Sequence, residues 1–311
     1  MALEPDRLPA PNYGDLWIAR VEDFQTLSGD PSTVFPQFDE QNWLRSKHLI
    51  PESSWAAAGS GTVTRHGTWI VATPALLVII DTSLGNSKDR PHSATINHLQ
   101  TDYLDRLAQL GVTPEAVDTV ITTHFHPDHV GWNTMRGDSG WQPTFPNATY
   151  YFASTDVEYW RPGSGNKPVG AAIMENVYTD SVAPILESGK ARLWAGSCKV
   201  SPEITLEPAP GHTPGNCVVK LSAGVGETAV FTGDIFHSAV QVANPHWSNR
   251  FCEDQSASAH TRRSILAWAD ENKATILPAH FGTGSGFTVI PNGQSYTISA
   301  WRDFESICDP A

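Results

Sequence analysis

The sequence predicts a layered α/β domain, and three observations carry that prediction. β-rich runs alternate with helical segments, they do so in both halves of the chain, and polar residues gather where β-rich runs end. With 311 residues the chain can bury a large core, and its length allows one large domain or two ordinary ones. No linker, internal repeat or low-complexity tract separates the halves, so one domain is expected.

Residues 1–60 read as an irregular extension integral to the fold, a lid or dimer arm rich in Pro, Trp and Ser, with one strand at LWIARV from Leu16. Residues 61–311 read as the main domain. Within it, TWIVATPALLVIIDTSLGN is two β-rich runs broken at Thr73-Pro74, the pattern of a hairpin that ends at Asp81. Ile96, Leu99, Tyr103, Leu107 and Leu110 recur at three- and four-residue steps ahead of Gly111, which predicts a helix over Thr95 to Leu110. VDTVITT from Val117 and ATYYFA follow as strands, STDVEYW opens like a Ser/Thr-capped helix, and VGAAIMENVYTDSVAPILESG reads as helical with a break before Pro184. The second half repeats the theme with EITLEPAPGHTPGNCVVKLS, TAVFTGDIF, a helix within Asp254 to Glu271, and ATILPAHF.

The charge balance narrows the partners. Twenty basic and 33 acidic residues leave a net charge of −13, and no basic run exceeds Arg262-Arg263, so nucleic acid is not an expected partner. The most apolar stretch, ALLVIID from Ala75, is far shorter than the roughly 20 residues that cross a bilayer, so no membrane is expected either. The opening MALEPDRLPAPNYGD has acidic residues and three prolines where an export signal needs a basic end and an apolar run, so a cytoplasmic address is expected. Cys198, Cys217, Cys252 and Cys308 lie far apart without a Cys-x-x-Cys, which argues for reduced thiols and against a sulfur metal site. The triplet Asn147-Ala148-Thr149 and the GTGSG run from Gly282 are given no role.

TTHFHPDHVGW, Thr122 to Trp132, crowds three histidines and an aspartate into six positions. His124 and His126 sit two apart on a loop that can point both imidazoles one way, and Asp128 and His129 follow at the start of a helix. Imidazole and carboxylate both suit zinc and similar divalent ions. Three later fragments add to them: PGHTPGN with His212, FTGDIF with Asp234 and LPAHF with His280, each beside a β-rich run.

This ordered set of seven, from about Leu76 to Phe281, resembles the metallo-β-lactamase superfamily. The resemblance implies a four-layer αβ/βα sandwich, with residues 61–311 as the catalytic domain, and two divalent metal ions per chain, zinc first and manganese, iron or cobalt as other candidates. It implies that His124, His126 and His212 hold one ion, that Asp128, His129 and His280 hold the other, and that Asp234 bridges them. His at position 126 departs from the flavodiiron pattern. Asp234 stands where the β-lactamases proper carry Cys or Ser. The surrounding text, DHVGWN, GDIFHSAVQVANPHWSNRF and LPAHF, is similar to the branch containing acyl-homoserine-lactone lactonases, 4-pyridoxolactonase and methyl parathion hydrolase.

The implied activity is dinuclear metal-dependent hydrolysis of a small-molecule carboxylic ester, first of all a lactone, by a bridging hydroxide. Asp128 would orient that nucleophile and relay a proton, while Asp234 would hold the metal spacing. The alternatives are a phosphotriesterase or arylesterase of the methyl parathion hydrolase type and, from another class, a catalytically silent ligand-binding or sensor protein. Asp81 is either an organiser of the ligand histidines or a turn residue. Trp132, Phe236, His237 and Trp247 either line the substrate pocket or pack in the core. His48, His66, His92, His98, His246 and His260 match no motif and read as surface or packing residues. A homodimer is a possible assembly.

Overall fold

The computed structural model describes residues 10–56, 61–224, 226–282 and 284–308. The reading of the first nine residues as leaderless, and the turn at Thr283, fall outside them. Two compact units emerge, and each is discontinuous in sequence. The first comprises Met1–Phe24, His66–Gly196 and Glu305–Ala311, and the second Gln25–Arg65 and Ser197–Phe304. Because the chain passes between the units four times, no linker marks them in the sequence.

The first unit is organised on a seven-stranded sheet. Its strands are β1 (Trp17–Leu27), β2 (Val63–Ala72), β3 (Leu77–Ile80), β4 (Thr119–Ile121), β7 (Thr149–Ala153), β8 (Ala191–Trp194) and β16 (Glu305–Ile307), in the order β16-β1-β2-β3-β4-β7-β8. A small hairpin, β5 (Thr134–Gly137) with β6 (Gly140–Pro143), stands apart from it. The expected hairpin at Thr73-Pro74 is present, with Ala72 opposite Leu77. From β3 to β8 the strands are parallel, which requires crossover segments between them. Those segments supply Tyr103, Leu107, Val157, Trp160, Val182 and Ile185, which pack on Ile70, Leu77, Ile79, Val120, Tyr150 and Phe152 in one buried core.

Three segments here depart from the sequence reading. The segment expected to be helical from Thr95 becomes a helix only at Tyr103–Gln109. Its first half is tied to other chain: Ser87 N–H donates to Leu99 O, His98 N–H to Lys88 O and Thr101 N–H to Asn86 Oδ1, while His98 takes a positive φ of 51°. Helical spacing of Ile96 and Leu99 was outweighed by these tertiary bonds. In the helix Ser154–Trp160, Ala153 occupies the capping position and no side chain caps it, so Ser154 is the first helical residue and not the cap. The segment read as helical from Val169 forms turns through Asn176, and the break ahead of Pro184 takes the form of a π-helical turn, Tyr178–Val182, leading into Ala183–Glu187.

The second unit has its own seven-stranded sheet: β9 (Cys198–Lys199), β10 (Ile204–Pro208), β11 (Cys217–Ala223), β12 (Glu227–Phe231), β13 (Thr275–Leu277), β14 (Ser285–Asn292) and β15 (Ser295–Asp303), laid out in reverse order from β15 to β9. All neighbours are antiparallel except β12 and β13. The helix that crosses between those two, Gln255–Asn272, is capped by Asp254, whose carboxylate accepts from Ala257 N–H at 2.8 Å. Ile265, Leu266 and Ala269 on its inner face join Val218, Val230, Ile276 and Phe287 in the second core. The β14–β15 hairpin was not legible in the sequence reading. Among the described residues no helix is long and apolar enough to cross a membrane.

Candidate functional site

Parallel pairing explains how the first unit collects its polar residues. β3 and β4 run side by side with Ile80 opposite Ile121, so the residues just past both strands emerge together. Asp81 follows β3 with φ 58°, a left-handed conformation that a short polar side chain tolerates. Its buried carboxylate accepts from Thr123 N–H (2.7 Å), Thr123 Oγ1 (2.8 Å) and His129 Nδ1 (2.8 Å). The contact at Nδ1 steadies the ring of His129.

Past β4, Phe125 is buried against Phe152 with ring centroids 5.0 Å apart, and its N–H donates to the buried Asp156. The flanking His124 and His126 therefore share a side, and His124 Nε2 lies 3.1 Å from His126 Nδ1. Two nitrogens on one tetrahedral zinc, at bond lengths near 2.0–2.1 Å, stand roughly 3.3 Å apart, so this pair has the spacing of neighbouring ligands. His126 also caps the short helix Pro127–Val130, which carries Asp128 and His129. Asp128 Oδ2 lies 3.7 Å from His129 Nε2 and 2.9 Å from His66 Nδ1.

The motif's glycine has a backbone reason. A Cβ on Gly131 would sit 1.9 Å from the carbonyl of Leu84, because Gly131 N–H and Trp132 N–H donate to Ser83 O and Thr82 O across that contact.

The second unit uses the same device. β12 and β13 are parallel, with Phe231 opposite Leu277, and their ends deliver Asp234 and His280 together. His212 sits on the loop between β10 and β11. Asp234 Oδ2 lies 3.1 Å from His212 Nε2 and 3.1 Å from His237 Nε2, and Asp234 Oδ1 lies 2.9 Å from His280 Nε2. His280 Nδ1 faces Arg65 O at 3.0 Å, and His212 Nδ1 faces Cys252 Sγ at 3.5 Å. Burial opposes charge on both His212 and His237. At His212 the Asp234 carboxylate outweighs it and lifts the pKa to about 10, whereas at His237 burial prevails and holds the pKa down to about 4. A buried carboxylate that draws a proton onto an imidazole is a place where a divalent cation can displace that proton.

Each unit therefore brings together imidazole and carboxylate groups of the kind that bind a metal ion: buried His124, His126 and His129 with half-buried Asp128 in the first, and buried His212, Asp234 and His280 in the second. The donor chemistry fits. Imidazole nitrogens and carboxylate oxygens face one another, and the far ring nitrogens of His129, His280, His212 and His124 meet a carboxylate, a carbonyl, a thiol and the Thr123 hydroxyl, as in metal sites whose outer partners fix the ligands.

Other sequence-named residues are placed differently. Trp132 stacks on Tyr103 at 5.2 Å and donates Nε1–H to Asp23, while Phe236 and Trp247 are fully buried in the second core, Trp247 against Phe35 and Phe38. These three large apolar faces gain more from packing than from lining an opening. Of the four, His237 alone touches the ligand cluster. His66, read as a packing residue, bonds Asp128. It lies on β2 among Thr64 and Thr68, and Thr68 Oγ1 donates to Asp81 O, so the polar alternation along this strand was its available signal. Cys252 had no such signal.

Comparison with known proteins agrees with this geometry. Residues 62–280 match the family model of the metallo-β-lactamase superfamily. Among solved structures, a hydrolase of the β-lactamase superfamily named AbOPH is 26% identical, with a TM-score of 0.73 over 92% of this chain and 94% of that one. A probable metal-dependent hydrolase from Staphylococcus aureus is 19% identical (TM-score 0.74, 95% and 99% covered). AidC, a dizinc quorum-quenching lactonase solved with a product, is 20% identical (TM-score 0.73, 96% and 97% covered). No curated protein sequence matches. The chain belongs to the metallo-β-lactamase superfamily, has its fold, and is a metal-dependent hydrolase of that kind.

Proposed function

We propose that this member of the metallo-β-lactamase superfamily is a dinuclear hydrolase of small carboxylic esters, with lactones as the favoured substrates. In this reading His124, His126 and His212 would hold one zinc ion, Asp128, His129 and His280 would hold the other, and Asp234 would be shared between them. The observation that carries it is the Asp234 carboxylate, both of whose oxygens face imidazole nitrogens at 2.9 to 3.1 Å. A carboxylate using both oxygens can span two ions, which the Cys or Ser of a β-lactamase could not do in the same way. The dizinc lactonase among the similar structures supports the substrate class.

Two divalent ions so held would supply a water of lowered pKa and a Lewis acid for the substrate carbonyl. The chain's own residues do the rest. Asp81 and Thr123 keep His129 in the tautomer that offers Nε2. Asp128 has 16% of its side chain exposed, far more than His129 at 1% or Asp234 at 5%, so it is the carboxylate best placed to pass a proton to a leaving alkoxide. His66 holds it by Oδ2 during that transfer.

Elemental analysis combined with hydrolysis of a lactone, aryl-ester and phosphotriester panel tests the proposal. The expected result is about two zinc ions per chain and lactone opening that a chelator abolishes. Preference for the phosphotriester would move the reading to the methyl parathion hydrolase type. Lactone binding without turnover in metal-loaded protein would move it to a sensor.

A further inference from the structure

We infer that Cys252 is a positioning residue of the metal site, its sulfur accepting the Nδ1 proton of His212 so that Nε2 is left to bind the ion. The inference rests on the preceding reading, in which His212 is a ligand.

The hydrogen bonds run along a buried chain that begins at Arg262. Arg262 is completely buried, and its guanidinium can only donate. Two of its N–H groups go to Ile235 O (2.7 Å) and Pro245 O (2.9 Å), and a third goes to Ser258 Oγ (3.1 Å). Ser258 Oγ also accepts the Cys252 thiol proton, at 3.5 Å. With its proton committed there, the sulfur has only lone pairs to offer the imidazole, and His212 Nδ1 lies 3.5 Å from it, a normal distance for an N–H to sulfur bond given the size of the sulfur atom. A ring that keeps its proton on Nδ1 gives up its other proton from Nε2, the atom that faces Asp234, so an ion arriving there meets the Nε2 lone pair.

The backbone holds this alignment. Glu253 N–H donates to His212 O (3.0 Å) and Asp254 N–H to Gly211 O (2.9 Å), clipping the ligand loop to the segment that carries the thiol. Cys252 is a free cysteine with 2% exposure, so the contact is inside the protein and not on its surface. His129 and His280 have a carboxylate and a backbone carbonyl in the corresponding place. His212 has a thiol, a weaker acceptor and one that oxidation would remove.

The test is competition between the full-length, zinc-loaded protein and a chromogenic chelator, with the absorption spectrum of the cobalt-substituted form as a second readout. Cys252→Ala should weaken one ion by about tenfold or more and alter the cobalt spectrum. Cys252→Ser, which keeps a donor and an acceptor there, should restore most of that affinity. Ser258→Ala should weaken the same ion by a smaller factor, and it carries the test if Cys252→Ala does not fold. Wild-type affinity in the Ala variants, or equal loss in Cys252→Ala and Cys252→Ser, would overturn the inference while leaving the metal site standing. A wild-type protein that takes up no metal would overturn the metal reading itself, and this inference with it.

Discussion

The two ligand clusters reach similar chemistry by different routes. In the first unit, four candidate ligands come from six consecutive positions, His124 to His129, on one loop and the short helix that follows it. In the second, His212, Asp234 and His280 come from three strand ends that are 22 and 46 residues apart in the chain. The first cluster is a property of a local turn; the second exists only when β10 through β13 have paired correctly. Their outer partners differ as well. A carboxylate at 2.8 Å steadies His129, whereas a thiol at 3.5 Å and a backbone carbonyl at 3.0 Å steady His212 and His280. A cluster assembled from distant segments around one carboxylate should be the more sensitive to losing that carboxylate.

The largest effect should therefore come from Asp234→Ala, which removes the acceptor faced by three imidazoles at once. Metal content and turnover should fall together, kcat/KM by on the order of 10³-fold or more. Retained metal with full activity, measured on one sample, would break the bridging role.

Asp81→Ala comes next. It frees His129 and leaves Thr123 N–H unsatisfied, so chelator titration should show metal affinity lower by roughly 10- to 100-fold. An unchanged affinity would return Asp81 to the status of a turn residue and erase the contrast between carboxylate and thiol partners.

A matched pair of glycine substitutions compares the two loops directly. A Cβ on Gly131 would meet Leu84 backbone at 1.9 Å, and one on Gly211, at φ +134°, would meet Ser258 N at 2.1 Å. Both contacts are with main chain, which cannot swing aside, so Gly131→Ala and Gly211→Ala should each lose about 1–3 kcal/mol in denaturant unfolding. Stability unchanged in either would mean that its loop relaxes freely and is not the rigid support described.

The smallest effect on metal is expected from His237→Ala. The seven-ligand reading leaves His237 beside Asp234 Oδ2 without assigning it an ion, so metal content should stay at the wild-type level while KM shifts. Loss of an ion on elemental analysis would make His237 an eighth ligand and enlarge the second cluster.

Much of the site was legible in the sequence because its parts are local. A run of alternating histidines after a β-rich segment, and single His or Asp residues beside three others, are visible without coordinates, since a strand end places its next few residues in a small volume. The same locality made Asp81 visible but left its role open, because a turn aspartate and an organiser look alike until the ring of His129 is seen beside it.

What the sequence by itself determined is the alternation of strands and helices, the seven candidate ligands and their order, and the hairpin at Thr73-Pro74. Only tertiary structure decided the rest. It delayed the helix expected from Thr95 until Tyr103 by bonding His98, Leu99 and Thr101 to residues 86–88, and it drew Trp132, Phe236 and Trp247 into the cores. It also brought His66 to Asp128 and Cys252 to His212, across 62 and 40 positions of chain. Periodicity records which face of an element is apolar, whereas these contacts depend on which elements pair, and that is set by the burial and hydrogen bonding of the whole chain.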